Sequence, residues 1–240
     1  MTRGYFVTGT DTGVGKTVVT AGLLRLLARQ GVRAVGLKPV ASGGERNGRG
    51  ELRNVDALEL QAAAPVRLPY ASVNPWCFAP AIAPHLAARE AGQPILVTDL
   101  ADWYGRVTAD VDLALVEGAG GWRVPLHPRG FLSDLPEAVG LDVILVVGLT
   151  LGCLNHARLT AEAIASSGRC RLAGWVANAV DPGFERRAEN LETLSDLLGS
   201  RPLAEVPRLD GASRSPCGNP IAEFQLTPQL CAALGVAQAG

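Results

Sequence analysis

Short, nearly continuous apolar runs recur along the chain, each followed by a turn and then a helix-like stretch. Tyr5–Thr8 leads into Lys16–Gln30, where Val18, Val19, Leu23, Leu24, Leu26 and Leu27 mark an apolar face at helical spacing. Arg33–Val40, Asp112–Val116, Asp142–Val147 and Leu172–Ala177 are further strand candidates. Asn155–Ser167 is expected to be a helix with an Asn at its start, and Pro182–Gly199 to include another. Strands that do not alternate apolar with polar residues are covered on both faces. Strands alternating with helices predict an α/β fold, a three-layer, mostly parallel sheet with helices on both faces. Ligands in such sheets bind beyond the carboxyl ends of the strands.

Two stretches break the pattern. Ser42–Gly50 ("SGGERNGRG") is polar and Gly-rich and is expected to be a mobile loop. From about residue 210 the chain turns rich in Gly, Ser and Pro, so 210–240 is expected to be a peripheral segment of a single 1–240 domain.

The 240 residues, 48% of them hydrophobic, suffice for one sizeable core. A formal net charge of −1 provides no global basic field for nucleic acid or acidic lipid. An apolar strand begins within the first few residues, so neither a signal nor a transit peptide is expected. The apolar stretch near Val143–Leu154 is broken by glycines and too short for a membrane span. A soluble, cytoplasmic protein is expected. Its five scattered cysteines form no CxxC pair and read as buried or incidental thiols. His85, His127 and His156 have no metal-ligand spacing and read as structural or solvent-facing.

Chemistry enters with "GTDTGVGKTVVT", Gly9–Thr20, between the first strand and its helix. It ends in the Gly-Lys-Thr of a phosphate-binding loop, although Gly9 and Gly15 enclose five residues where the usual motif has four. Glycines let backbone N–H groups face an anion closely, and the helix N-terminus adds a favourable dipole. Lys16 would reach the β- and γ-phosphates, and the Thr17 hydroxyl would bind Mg²⁺. The alternative is a Gly-rich turn that merely caps a helix; the strand before it and the helix after it favour a nucleotide site.

Mg²⁺ needs further hard oxygens, normally one or two carboxylates. Glu117, at the end of "LALVE" and ahead of Gly118, Ala119 and Gly120, offers one; otherwise it is a solvated strand-end residue. Asp56, near the start of a helix, is either a second ligand or that helix's N-cap. Lys38, where a strand should end beside the phosphate loop, either neutralises a transferring phosphoryl group or is a surface lysine. Gly152, Cys153, Leu154 and Asn155 open a helix that either presents free N–H groups to a carboxylate or is simply Asn-capped. The residues alone thus lead to a Mg²⁺-dependent ATPase or ATP-using ligase of the phosphate-loop class.

Seven segments taken together go further. "YFVTGTDTGVGKT", "GLKPVASG", "LRNVDAL", "VNPWCFAPAIAPH", "LVEGAGGWRVPL", "VILVVGLTLGCLNHARLT" and "LAGWVAN" run in order with the spacing of one family. In this set the chain resembles the dethiobiotin synthetases. The resemblance implies a phosphate-loop NTPase fold and an ATP- and Mg²⁺-dependent ring closure of 7,8-diaminononanoate and CO₂, within biotin synthesis. It implies Gly13, Val14, Gly15, Lys16, Thr17, Val18, Gly118, Ala119 and Gly120 on the nucleotide, with Asn178 on adenine and Pro207, Arg208 and Leu209 flanking the base. It implies Thr17, Asp56 and Glu117 on Mg²⁺, Lys38 on the carbamate and γ-phosphate, and Thr12 and Ser42 beside the diamine. Gly152–Asn155 would hold the substrate carboxylate across a subunit boundary, so a homodimer is implied. Family loops often carry an acidic residue where this chain has Gly13.

Three other readings compete. A partitioning or metal-delivery ATPase usually places a signature lysine where this chain has Asp11. An amide-forming ligase of the cobyrinate type usually carries a glutaminase domain, for which 240 residues leave no room. A pure binding module would not need Lys38 together with three metal-ligand candidates.

Overall fold

In a computed structural model, which describes residues 3–210, 215, 217, 221–224 and 227–236, the centre is a six-stranded parallel sheet. In spatial order its strands are Ala204–Val206, Leu172–Asn178, Asp142–Gly148, β1 (Arg3–Gly9), Leu113–Glu117 and β2 (Ala34–Leu37). Successive side chains of a strand point to opposite faces. Tyr5, Val7, Leu113, Leu115, Ile144 and Val146 accordingly pack under helix α1 (Lys16–Arg29) and helix α2 (Val55–Ala63). Phe6, Val35, Leu37, Ala114, Val116 and Val143 face the other way, against Ala87, Leu100, Trp103 and Leu135. Leu145, Val147, Trp175 and Ala177 meet Ala157 and Leu194 of the helices Cys153–Ala165 and Arg187–Leu198. Both faces are covered, as the unalternating runs predict.

The sheet places its carboxyl ends along one edge. β1 leads through α1 to β2 on one side, whereas Asp142–Gly148, which pairs directly with β1, leads to Leu172–Asn178 on the other. Chain paths that part from adjacent strands open a crevice between their ends. The loop Thr10–Gly15 lies there.

Several expectations need correction. The strand expected over Arg33–Val40 ends at Leu37. Lys38 turns away to donate its backbone N–H to the Val73 carbonyl at 2.9 Å, and Val40–Ala41 pairs separately with Trp76–Cys77. Within Ser42–Gly50, Glu45–Arg46 pairs antiparallel with Leu52–Arg53, and the Asn47 carboxamide accepts from the Arg49 and Glu51 N–H groups to close the turn. The described part of the C-terminal segment is not peripheral. Ala222, Phe224, Leu230 and Leu234 are buried in the core under α1. A Cβ on Gly22 would come within 2.5 Å of the Phe224 ring, so that glycine admits the segment. Glu59, 1% exposed, pairs with Arg25 and accepts from Ser215.

Candidate nucleotide and substrate site

The loop after β1 is shaped by its glycines. Gly13 and Gly15 have φ of +77° and +88°, the left-handed region that side chains other than glycine resist. A Cβ on Gly15 would also overlap the Asn178 side-chain amide. Gly15 occupies the N-cap of α1 without side-chain capping, leaving the first-turn N–H groups available to an anion. Lys16 is 7% exposed and folds back across the loop, donating from Nζ to the Asp11 carbonyl at 2.9 Å.

Opposite the loop, the ends of two neighbouring strands deliver a charge cluster. Glu117 is fully buried; its Oε1 accepts from the Thr17 hydroxyl at 2.9 Å and from Lys38 Nζ at 2.6 Å. Lys38, 4% exposed, also donates to the Gly118 carbonyl at 3.1 Å and lies 3.3 Å from Asp56 Oδ2. Burial pulls Lys38 down, but the Glu117 and Asp56 carboxylates outweigh it and hold the ammonium above the usual lysine value. Lys16 has the opposite balance. Burial, then the charge of Lys38, pulls it down to about 8. Glu117 Oε2 is buried with no hydrogen-bond partner among the described residues. That free oxygen, the Thr17 hydroxyl and the Asp56 carboxylate form a set of hard donors suited to Mg²⁺.

These groups line a cavity of about 720 Å³ together with Thr12, Gly13, Gly15, Val18, Ser42, Ala119 and Gly120. Gly118 contributes through its carbonyl. Beyond Gly13, Gly15 and Val18 lies a second cleft of about 300 Å³, lined also by Asn178, Pro207, Arg208 and Leu209. Val14 is buried and turns its carbonyl to Asn178, whose Nδ2 donates to it at 2.8 Å. The Asn178 amide thus braces the loop, a contact not foreseen in the sequence.

At two helix starts the expected cap is excluded. Asn54, not Asp56, caps α2: its side-chain oxygen accepts from the Asp56 and Ala57 N–H groups at 3.1 and 3.3 Å. Asp56 is left free to face the cavity. Asn155 is not a cap either, because the helix begins at Cys153 behind Gly152, whose φ of +96° makes the turn. Gly152, Cys153, Leu154 and Asn155 line neither cavity; they lie beside Leu151, which is 96% exposed. Sequence reasoning missed Asn54 and the Ala81–Pro84 wall of the larger cavity. An Asn two residues before the acidic Asp56 was the available signal for the former.

A family model described as an AAA domain matches residues 3–215. The ATP-dependent dethiobiotin synthetase BioD of Pseudomonas aeruginosa (strain UCBPP-PA14) is 54% identical over 210 residues, 87% of this chain and 91% of that protein. The namesake enzyme of Chromohalobacter salexigens is 51% identical over 233 residues, 93% of this chain and 98% of its own. The chain belongs to the ATP-dependent dethiobiotin synthetase family. Among solved structures, the septum site-determining protein MinD complexed with Mg-ADP, from Pyrococcus horikoshii OT3, matches with a TM-score of 0.55 at 16% identity, covering 86% of this chain and 82% of that one. A ParA family ATPase from Chlorobium tepidum TLS matches with a TM-score of 0.54 at 12% identity, covering 88% and 85%. At such identities the likeness concerns the phosphate-loop fold alone.

Proposed function

We propose that this family member closes the urea ring of dethiobiotin from 7,8-diaminononanoate and CO₂, consuming ATP and releasing ADP and phosphate. The observation that carries the reading is Lys38, a buried ammonium on the cavity wall opposite the phosphate loop. Carbamate is a poor electrophile because its carbon is electron-rich and its leaving group would be oxide. In the proposed sequence one amine of the diamine adds to CO₂ and loses a proton, giving a carbamate. A carbamate oxygen then attacks the γ-phosphorus, the bond to the ADP oxygen breaks, and a carbamic–phosphoric anhydride forms. The second amine attacks the carbonyl carbon, loses its proton and expels phosphate.

The chain's own work is positioning and charge stabilisation. Lys38 would face the carbamate and the γ-phosphate together, and Lys16 would leave the Asp11 carbonyl for the β- and γ-phosphates. Thr12 and Ser42 would stand beside the diamine; Ser42 Oγ is buried without a partner among the described residues. Thr17, Asp56 and Glu117 would hold Mg²⁺, which when bound neutralises phosphate charge. The base would lie in the smaller cleft by Asn178 and Pro207–Leu209. We further propose a cytoplasmic homodimer in which Gly152–Asn155 of the partner subunit meets the substrate carboxylate. Among the described residues no helix is long and apolar enough to cross a membrane.

The test is phosphate release from MgATP and bicarbonate, with and without the diamine, alongside product mass. Diamine-dependent release with a urea-ring product is expected. Release that ignores the diamine, or none at all, would sink the ligase reading and leave only a nucleotide site.

A further inference from the structure

Lys38 is held from both ends of its residue. Its ammonium lies among Glu117, Asp56 and the Gly118 carbonyl, as described. Its backbone is clamped separately: the N–H donates to the Val73 carbonyl at 2.9 Å, and the carbonyl accepts from Asn74 Nδ2 at 2.6 Å. Asn74 is 3% exposed. Its Oδ1 accepts from the Tyr70 hydroxyl at 2.8 Å. The same hydroxyl accepts from the Asn54 backbone N–H at 2.7 Å. Asn54 in turn caps α2 through the Asp56 N–H, and Asp56 returns to Lys38 Nζ.

From these contacts we infer that Tyr70 and Asn74 are positioning residues for the proposed reaction. They close a hydrogen-bonded circuit, Lys38–Asn74–Tyr70–Asn54–Asp56, that sets the separation between the catalytic ammonium and a carboxylate of the metal set. The segments it joins are far apart in sequence, and the sheet does not hold them together. β2 stops at Leu37, and α2 is attached to it through packing. A one-hydroxyl junction that donates to one arm and accepts from the other fixes both arms at once. Burial keeps the Tyr70 phenol protonated, and the Arg53 guanidinium stacks over its ring at 4.2 Å from the centroid. A network partly shielded from water in this way is rigid only while every member is satisfied.

The inference rests on Lys38 acting in the reaction, so the test separates the two. Tyr70→Phe deletes the junction and keeps the ring. Asn74→Leu deletes both amide links; should that buried variant fail to fold, Tyr70→Phe carries the test alone. Misplacing reacting groups by an ångström costs about 100-fold, so Tyr70→Phe should lower kcat by about 10- to 100-fold. The Kd for metal-free ADP should change by less than about two-fold, because the phosphate loop lies outside the circuit. Gln61→Leu is the control. It removes a hydrogen bond of 2.7 Å from α2 to the Leu68 carbonyl, also outside the circuit, and should keep the parent kcat. In a Lys38→Ala background, Tyr70→Phe should lower the residual rate no further. An unchanged kcat in Tyr70→Phe, or an equal fold loss in both backgrounds, overturns the inference while leaving Lys38 in place. Full activity in Lys38→Ala overturns both, and is seen before Tyr70 is altered.

Discussion

Replacing Lys38 by Met keeps most of the side chain's stem and removes its charge. Glu117 would then be fully buried with the Thr17 hydroxyl as its remaining close donor. Asp56, whose side chain is 35% exposed, can turn to water, so the loss concentrates on Glu117. Breaking a buried ion pair from one side costs about 3–5 kcal/mol, because the stranded charge is left unpaired. For a protein of this size that is a fall in Tm of roughly 6–20 °C. Adding Glu117→Gln to Lys38→Met removes the stranded charge at constant volume and should restore most of the loss. The coupling between the two sites should then exceed about 2 kcal/mol. Urea denaturation of the four proteins, without nucleotide or Mg²⁺, measures this directly. The reasoning fails if Lys38→Met costs less than about 1 kcal/mol, or if Glu117→Gln deepens its loss. The double variant should be stable and inactive, which separates what the charges do for folding from what they do for turnover.

Three further outcomes are expected. Lys16 falls from an ordinary 10.5 to about 8, so between those values the folded state binds fewer protons than the unfolded one. The stability of the nucleotide-free protein should therefore rise with pH through that window, and bound phosphates should restore the charge. Titrating MgATP near pH 8.5 in buffers of different ionisation enthalpy should show net proton uptake, lost in Lys16→Met; equal heats in all buffers would refute it. Gly15→Ala forces a left-handed backbone and a clash with Asn178, and should weaken ADP binding by at least about ten-fold. An ADP Kd within about two-fold of the parent's would show that the loop accommodates a Cβ there. Gly22→Ala pushes on the Phe224 ring and the Ala222 carbonyl and should cost about 1–3 kcal/mol in denaturation. An unchanged midpoint would mean that the C-terminal segment moves aside freely.

What could be read from the sequence depended on how far apart the interacting groups lie along the chain. The loop was legible because its strand, glycines, Lys16 and helix are contiguous, and Glu117 because a strand end beside a phosphate loop has few uses. The amphipathic helix Val97–Val107 was passed over although Leu100, Trp103 and Tyr104 carry the helical spacing. The C-terminal segment was misread because its Gly, Ser and Pro content hid the apolar positions Phe224, Leu230 and Leu234. Gly22, which admits Phe224, is a residue whose role is an absence of side chain.

The circuit behind Lys38 had no signature of this kind. Asn74 reaches a backbone carbonyl 36 residues away, and Tyr70 a backbone N–H 16 residues away. Any residue type can offer those backbone partners, so nothing in the partner positions points back to Asn74 or Tyr70. The alternatives at Asp56 show the same limit from the other side. Cap and ligand are both reasonable uses of an acidic residue in a helix's first turn. Asn54 takes the cap, and the Asp56 carboxylate stands 3.3 Å from Lys38 Nζ. A carboxylate released from its local hydrogen bonds is the one that can serve a distant charge. That Asp56 is free of the cap therefore follows from Asn54, two positions earlier in the chain.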